Sequence, residues 1–204
     1  MAEKTRRNPR QARSQATVEA ILDAAFQILE TRGLSRLTTN HIAERAGVSV
    51  GTLYQYFADK DAVLAAMGQR QAEALREQVT QILLASPERG SMRAIVQAVL
   101  RGTEGSPETR AVLSEALFRA RGQSVLSEQH LLFLSAVRGQ QALDYALGKE
   151  SAFILTHTVI CLARAAGAEP ELGLDLAVLE DQLVLMLESY LLALASQPRE
   201  VRRD

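Results

Sequence analysis

Four short residues, Ser49-Val50-Gly51-Thr52, stand just ahead of Leu53 and the polar run Tyr54-Gln55-Tyr56. Reading a DNA major groove calls for short or flat side chains at the leading end of a helix, with positive potential nearby. Val50 or the Thr52 methyl can meet a thymine methyl, Gly51 lets the backbone come close, and Gln55 can pair with adenine through both ends of its amide. Tyr54 and Tyr56 can give hydroxyl bonds to phosphates or lie on sugars. Lys60 adds a charge beside a further helix N-terminus, and Thr38, Thr39 and Asn40 can hold another phosphate or reach a base edge. Leu53 and Phe57 are expected to face inward.

Such residues need a frame, and Thr38–Lys60 supplies one. Thr38 caps a helix over about 39–46, with Ile42 and Ala43 as its apolar face. Gly47 can take the left-handed turn conformation and Val48 points back to a core. Ser49 caps the next helix, about 49–57. Two short helices joined by a tight glycine turn make a helix-turn-helix. Ahead of it, Val18, Ile21, Leu22, Ala25, Phe26 and Leu29 recur at helical spacing and predict a helix over 15–31, stopped at Gly33, with Leu34 and Leu37 closing the core. Behind it, Asp59 caps a helix from Lys60 to about Ala85, roughly 39 Å long at 1.5 Å per residue and able to join two domains. Ser86-Pro87 ends it.

The charge follows the same division. The 204-residue chain carries a formal −1, but residues 1–60 hold nine Lys/Arg against six acids, a net +3, which leaves −4 for the remainder. That asymmetry places a polyanion-binding end on an otherwise acidic chain. Residues 1–14, with Pro9 and five basic residues, read as a mobile basic arm. Cys161 is the only cysteine, so no intrachain disulfide or multi-cysteine metal site can form, and a reducing cytoplasmic setting is expected. The basic N-terminus lacks a signal peptide's apolar segment, and no run reaches the roughly 18 uninterrupted apolar residues of a membrane span.

Beyond residue 88 the pattern is helical throughout, over about 90–103, 107–121, 125–147, 151–167 and 174–195. The last two differ from the rest. Residues 152–163 are apolar nearly all round, and the final helix is apolar on more than one face. Two such adjacent helices form half of a four-helix dimer interface. Phe153, Leu155, Val159, Leu162, Leu183, Leu187, Tyr190 and Leu191 are its candidate contacts. The domains predicted are 15–60 for DNA binding and 61–198 for regulation and dimerisation.

The segment GLSRLTTNHIAERAGVSVGTLYQYFADKDAVL resembles the DNA-binding domain of TetR-family transcriptional regulators. The likeness covers about residues 15–65 and rests on Gly33, Thr38-Thr39, Ile42-Ala43, Ala46-Gly47-Val48-Ser49, Gly51-Thr52-Leu53-Tyr54, Tyr56-Phe57 and Lys60. Residues 66–204 match only in being all-helical. The resemblance implies an all-α homodimer that binds a palindromic operator, usually as a repressor. It also implies a C-terminal pocket whose small-molecule ligand releases the DNA. Met67, Phe118, His130, Phe133, Val137 and Tyr145 are candidate pocket residues.

Two other readings stay open at this level. A DNA-binding regulator without a small-molecule ligand, whether constitutive, activating or controlled by a protein partner, fits residues 88–150 equally well. His157 and Cys161 share a helix face four residues apart, as a nucleophile and base could. A small buried cysteine beside a polar interface residue explains the pair better, so no enzyme is expected, and no cofactor or metal site is read from the histidine spacing.

Overall fold

The computed structural model describes residues 9–85, 90–122, 124–137 and 148–196, with the side chains at 9–12, 90, 91, 129 and 132–137 excepted. Within them the chain is helical: α1 (Pro9–Arg32), α2 (Thr39–Ala46), α3 (Val50–Tyr56), α4 (Lys60–Ala85), α5 (Gly90–Arg101), α6 (Pro107–Arg121), α7 (Ser124–Val137), α8 (Lys149–Ala168) and α9 (Leu176–Ser196). Short 3-10 turns cover Leu34–Arg36 and Pro170–Leu172. The first helix begins at Pro9, six residues ahead of the expected start, so part of the anticipated arm is helix. Proline suits a first helical position, where its missing N–H would have no partner, and Arg, Gln and Ala behind it propagate the turn. The expected helix over 125–147 is described as far as Val137, and Gly139 lies outside the described residues.

Two cores organise the bundle. The N-terminal one joins Ile21, Ala25 and Ile28 of α1, Leu37, Ile42 of α2, Leu53 of α3 and Val63, Leu64 and Met67 of α4. Leu113, from α6, is fully buried in the same cluster. The second core gathers Val96 of α5, Leu155 and Val159 of α8, and Leu183, Val184 and Leu187 of α9. Helix α4 belongs to both halves, because its first two turns close the N-terminal core while its length packs along α6 and α5. The approach to α6 depends on Gly68: a Cβ there would overlap the Leu113 carbonyl oxygen and stand 3.0 Å from the Leu117 Cβ.

Polar contacts fasten α1 to the second half. The Glu30 carboxylate accepts from the Ser106 N–H at 3.0 and 3.1 Å and from its hydroxyl at 3.2 Å. The Thr109 hydroxyl, then the Ser106 N–H, and Arg110 nearby hold the Glu30 carboxyl below its ordinary range. In the other half, the buried Glu180 of α9 accepts from Arg93 (2.7 Å), Gln97 (2.8 Å) and Arg101 (3.1 Å), all on α5. Each of those three residues is about a turn from the next, so one carboxylate pins roughly two turns of helix.

No uninterrupted apolar run of 18 residues occurs, yet α8 is long and apolar enough to cross a membrane by length and composition, with a mean hydropathy of 1.4. Counting only uninterrupted apolar runs hid this, since Thr156, His157 and Thr158 break the run without making the helix polar. In the fold α8 packs against α5, α6 and α7 and leaves Phe153, Ile154 and Leu162 exposed.

Candidate nucleic-acid interface

The turn between α2 and α3 is built from the backbone outward. Gly47 sits at φ 69°, ψ 28°, its N–H bonded to the Glu44 carbonyl, while the Val48 N–H reaches the Ala43 carbonyl at 3.0 Å. This pair of bonds is a Schellman closure, which satisfies the last carbonyls of α2 and turns the chain sharply. The Thr38 hydroxyl caps α2 by accepting from the His41 N–H, and the Ser49 hydroxyl caps α3 by accepting from the Thr52 N–H at 3.0 Å. Asp59 caps α4 through the Ala62 N–H at 2.8 Å. Leu53 and Phe57 turn into the core, as their spacing required, and fix which face of α3 is free.

That free face carries the expected side chains. Thr38, Asn40, Ser49, Gly51, Tyr54, Gln55 and Tyr56 are exposed, and Thr39, Thr52 and Lys60 are half-buried. Tyr54 is 52% exposed, an open position for so large a ring. Its hydroxyl lies 3.3 Å from Thr39 Oγ1, which ties the start of α2 to the middle of α3. The Thr52 hydroxyl is 2.8 Å from that of Ser49, so the cap and its neighbour share one polar cluster. Val50 departs from the expectation of a free methyl surface: it is half-buried and leans on the N-terminal core. The sequence reading omitted Arg45, which stands exposed on α2 with Nε donating to Gln27 at 2.8 Å. Its place in the helix-turn-helix and its positive charge were the available signal.

The candidate pocket residues scatter. A cavity of about 1300 Å³ runs between α4, α5, α6 and α8, reaching from the start of α4 to Leu155 and Val159. Phe118 lines it. Met67 does not: it is buried in the N-terminal core, because its position one turn beyond Val63 turns it toward α1. His130 packs instead against the rings of Phe153 and His157, at 5.6 and 6.0 Å between centroids. The side chains of Phe133 and Val137, and Tyr145 altogether, lie outside the described residues. Leu75, Arg76 and Val79, which wall the cavity from α4, were not anticipated. Their signal was an apolar stripe continuing along α4 well past the N-terminal core.

The candidate dimer contacts also divide. Leu155, Val159, Leu183 and Leu187 are buried within this chain around Val96, so they are not free to meet a partner. Periodicity marks a helix as apolar on two sides without saying which side its own chain covers. Phe153 and Leu162 are exposed, and Tyr190 and Leu191 half-buried; Leu185, Met186 and Leu192 add to the open apolar surface of α9. Cys161, expected to be buried, is exposed, and the His157 ring stacks on Phe153 at 3.8 Å with Nδ1 against the Phe153 carbonyl oxygen.

Residues 21–67 match the family model described as bacterial regulatory proteins, tetR family. An HTH-type transcriptional regulator of Mycobacterium tuberculosis is 31% identical over 122 residues, which cover 58% of this chain and 60% of that protein. The chain therefore spans less than two thirds of the length of this relative. A TetR-family transcriptional regulator from Streptomyces coelicolor superposes with a TM-score of 0.57 at 22% identity, over 87% of this chain and 99% of that one. The triclosan complex of SmeT, the repressor of the Stenotrophomonas maltophilia multidrug efflux pump SmeDEF, superposes with a TM-score of 0.57 at 25% identity, over 88% and 91%. Residues 21–67 thus match the helix-turn-helix of the bacterial tetR-family regulatory proteins, and the all-helical fold is one that solved regulators of that family share.

Proposed function

We propose that this protein is a cytoplasmic, homodimeric transcriptional regulator that represses from a palindromic operator and is released by a small molecule. The observation that carries DNA binding is the free face of α3, where capping and core packing leave Tyr54, Gln55 and Tyr56 open beside Gly51. The contacts assigned to DNA are Thr38, Thr39, Asn40, Ser49, Gly51, Thr52, Tyr54, Gln55, Tyr56 and Lys60, with Val50 reduced to a packing role. The second α3 comes from a second copy, paired through the open apolar surface of α8 and α9. Two recognition helices then meet successive major grooves about 34–36 Å apart.

Ligand control is supported by the position of the cavity, which α4 walls along its length while its first turns are part of the DNA-binding core. A molecule that fits better when α4 is displaced shifts the population toward dimers whose α3 helices no longer match the grooves. SmeT with triclosan is a family member with a small molecule bound. The test is selection of bound sequences from randomised duplex DNA at stated salt. A palindrome with half-sites about one helical turn apart is the expected result. No enrichment by protein refolded free of ligand would overturn the DNA-binding reading.

A further inference from the structure

The charges around the cavity are sorted by depth. Five cations and four acids border it. Four of the cations, Lys60, Arg76, Arg110 and Arg164, are half-buried, whereas all four acids are exposed. Arg110 is occupied, donating to the Gly105 carbonyl. Arg164 lies over the Phe118 ring at 3.5 Å and is 3.7 Å from the exposed Glu115. Arg76 forms no ion pair among the described residues. It is flanked on the same stripe of α4 by Ala72, Leu75, Val79 and Leu83, which also line the cavity. A half-buried arginine on an aliphatic stripe, with no carboxylate partner among the described residues, offers a strong donor fork to an anion.

The cavity is long as well as apolar. Its wall on α4 extends from Lys60 to Leu83, roughly 35 Å at 1.5 Å per residue. From this we infer that the ligand is an amphiphilic anion: an extended hydrocarbon body with a single acidic headgroup, received by Arg76 with Arg164 in support. This deepens the ligand-responsive reading above and rests on it for its regulatory meaning, though not for the binding itself. A neutral apolar molecule would cover part of the guanidinium's water without pairing it, and a cationic one would face it directly.

The experiment is calorimetric titration of the full chain, without DNA, using dodecanoate, dodecanol and dodecyltrimethylammonium below their micelle-forming concentrations. Dodecanoate is expected to bind at least about tenfold more tightly than dodecanol, as a charge-assisted bond to arginine gives, and the cation not at all. In Arg76→Gln that preference falls toward unity, and Arg164→Gln reduces it by less; circular dichroism confirms that both variants are folded. Equal binding of the acid and the alcohol, tighter binding of the cation, or no binding by any of the three overturns the assignment. Fluorescence anisotropy on operator DNA is then read separately. Dodecanoate bound with operator affinity unchanged leaves the ligand class standing and removes the release mechanism.

Discussion

Tyr54 and Lys60 contribute to DNA binding in different ways, and two substitutions separate them. Tyr54→Phe removes one hydroxyl from an exposed ring, whose partner among the described residues is Thr39, at 3.3 Å. A net hydrogen bond of about 1 kcal/mol corresponds to roughly fivefold weaker operator binding, with the melting temperature unmoved. Lys60→Ala should weaken binding to all sequences alike and lower the salt slope of log affinity by about 1, the mark of a lost phosphate contact. Both follow from anisotropy titrations at several salt concentrations. Gly47 is a third kind of residue. A Cβ there meets nothing within 4 Å, so a substitution is penalised by its φ of 69° alone. Gly47→Val should therefore destabilise by about 1–3 kcal/mol in urea unfolding, and Gly47→Asn by much less, since Asn tolerates the left-handed region.

Among the helices, α4 packs tightly on α6 at Gly68. Gly68→Ala has to push Leu113 and Leu117 away, at a cost of about 1–3 kcal/mol, read as a lower urea midpoint. The elements themselves were legible in sequence. The caps Thr38, Ser49 and Asp59 and the turn at Gly47 marked α2, α3 and the start of α4 to within a residue, because capping is a local event between neighbours. Gly68 and Leu113 were not legible. Their partners are each other, 45 positions apart, and no periodicity within one helix reports on a second helix. For the same reason the DNA-contacting face of α3 could be read from its own residues, while the cavity needed four helices to be assembled before Phe118 was sorted from Met67.

At the scale of the molecule, Glu180 should make stability sensitive to acid. Gln97 first, with Arg93 and Arg101, holds the folded Glu180 carboxyl below its ordinary value of 4.5. A carboxyl with a lowered folded pKa binds its proton more readily when unfolded, so its stabilising contribution is complete above about 4.5 and is lost as pH falls through the lower folded value. Urea unfolding should show stability dropping below that pH, and Glu180→Gln should be less stable than the parent at neutral pH while converging with it in acid. A gap between the two proteins that persists unchanged at low pH would assign the loss to other groups.

Leu113 has a consequence for anyone who would treat the DNA-binding unit as a portable part. Every other fully buried member of its cluster comes from α1 to the opening turns of α4 or the turn between α1 and α2, yet this one side chain is lent by α6. A chimaera cut within α4 inherits a socket with no plug unless the recipient presents a leucine-sized side chain at the same height on its own α6. Compatibility between grafted halves thus depends first on this buried contact across the seam, and transplant libraries for regulators of this build should be varied first at position 113 and at its neighbour Gly68.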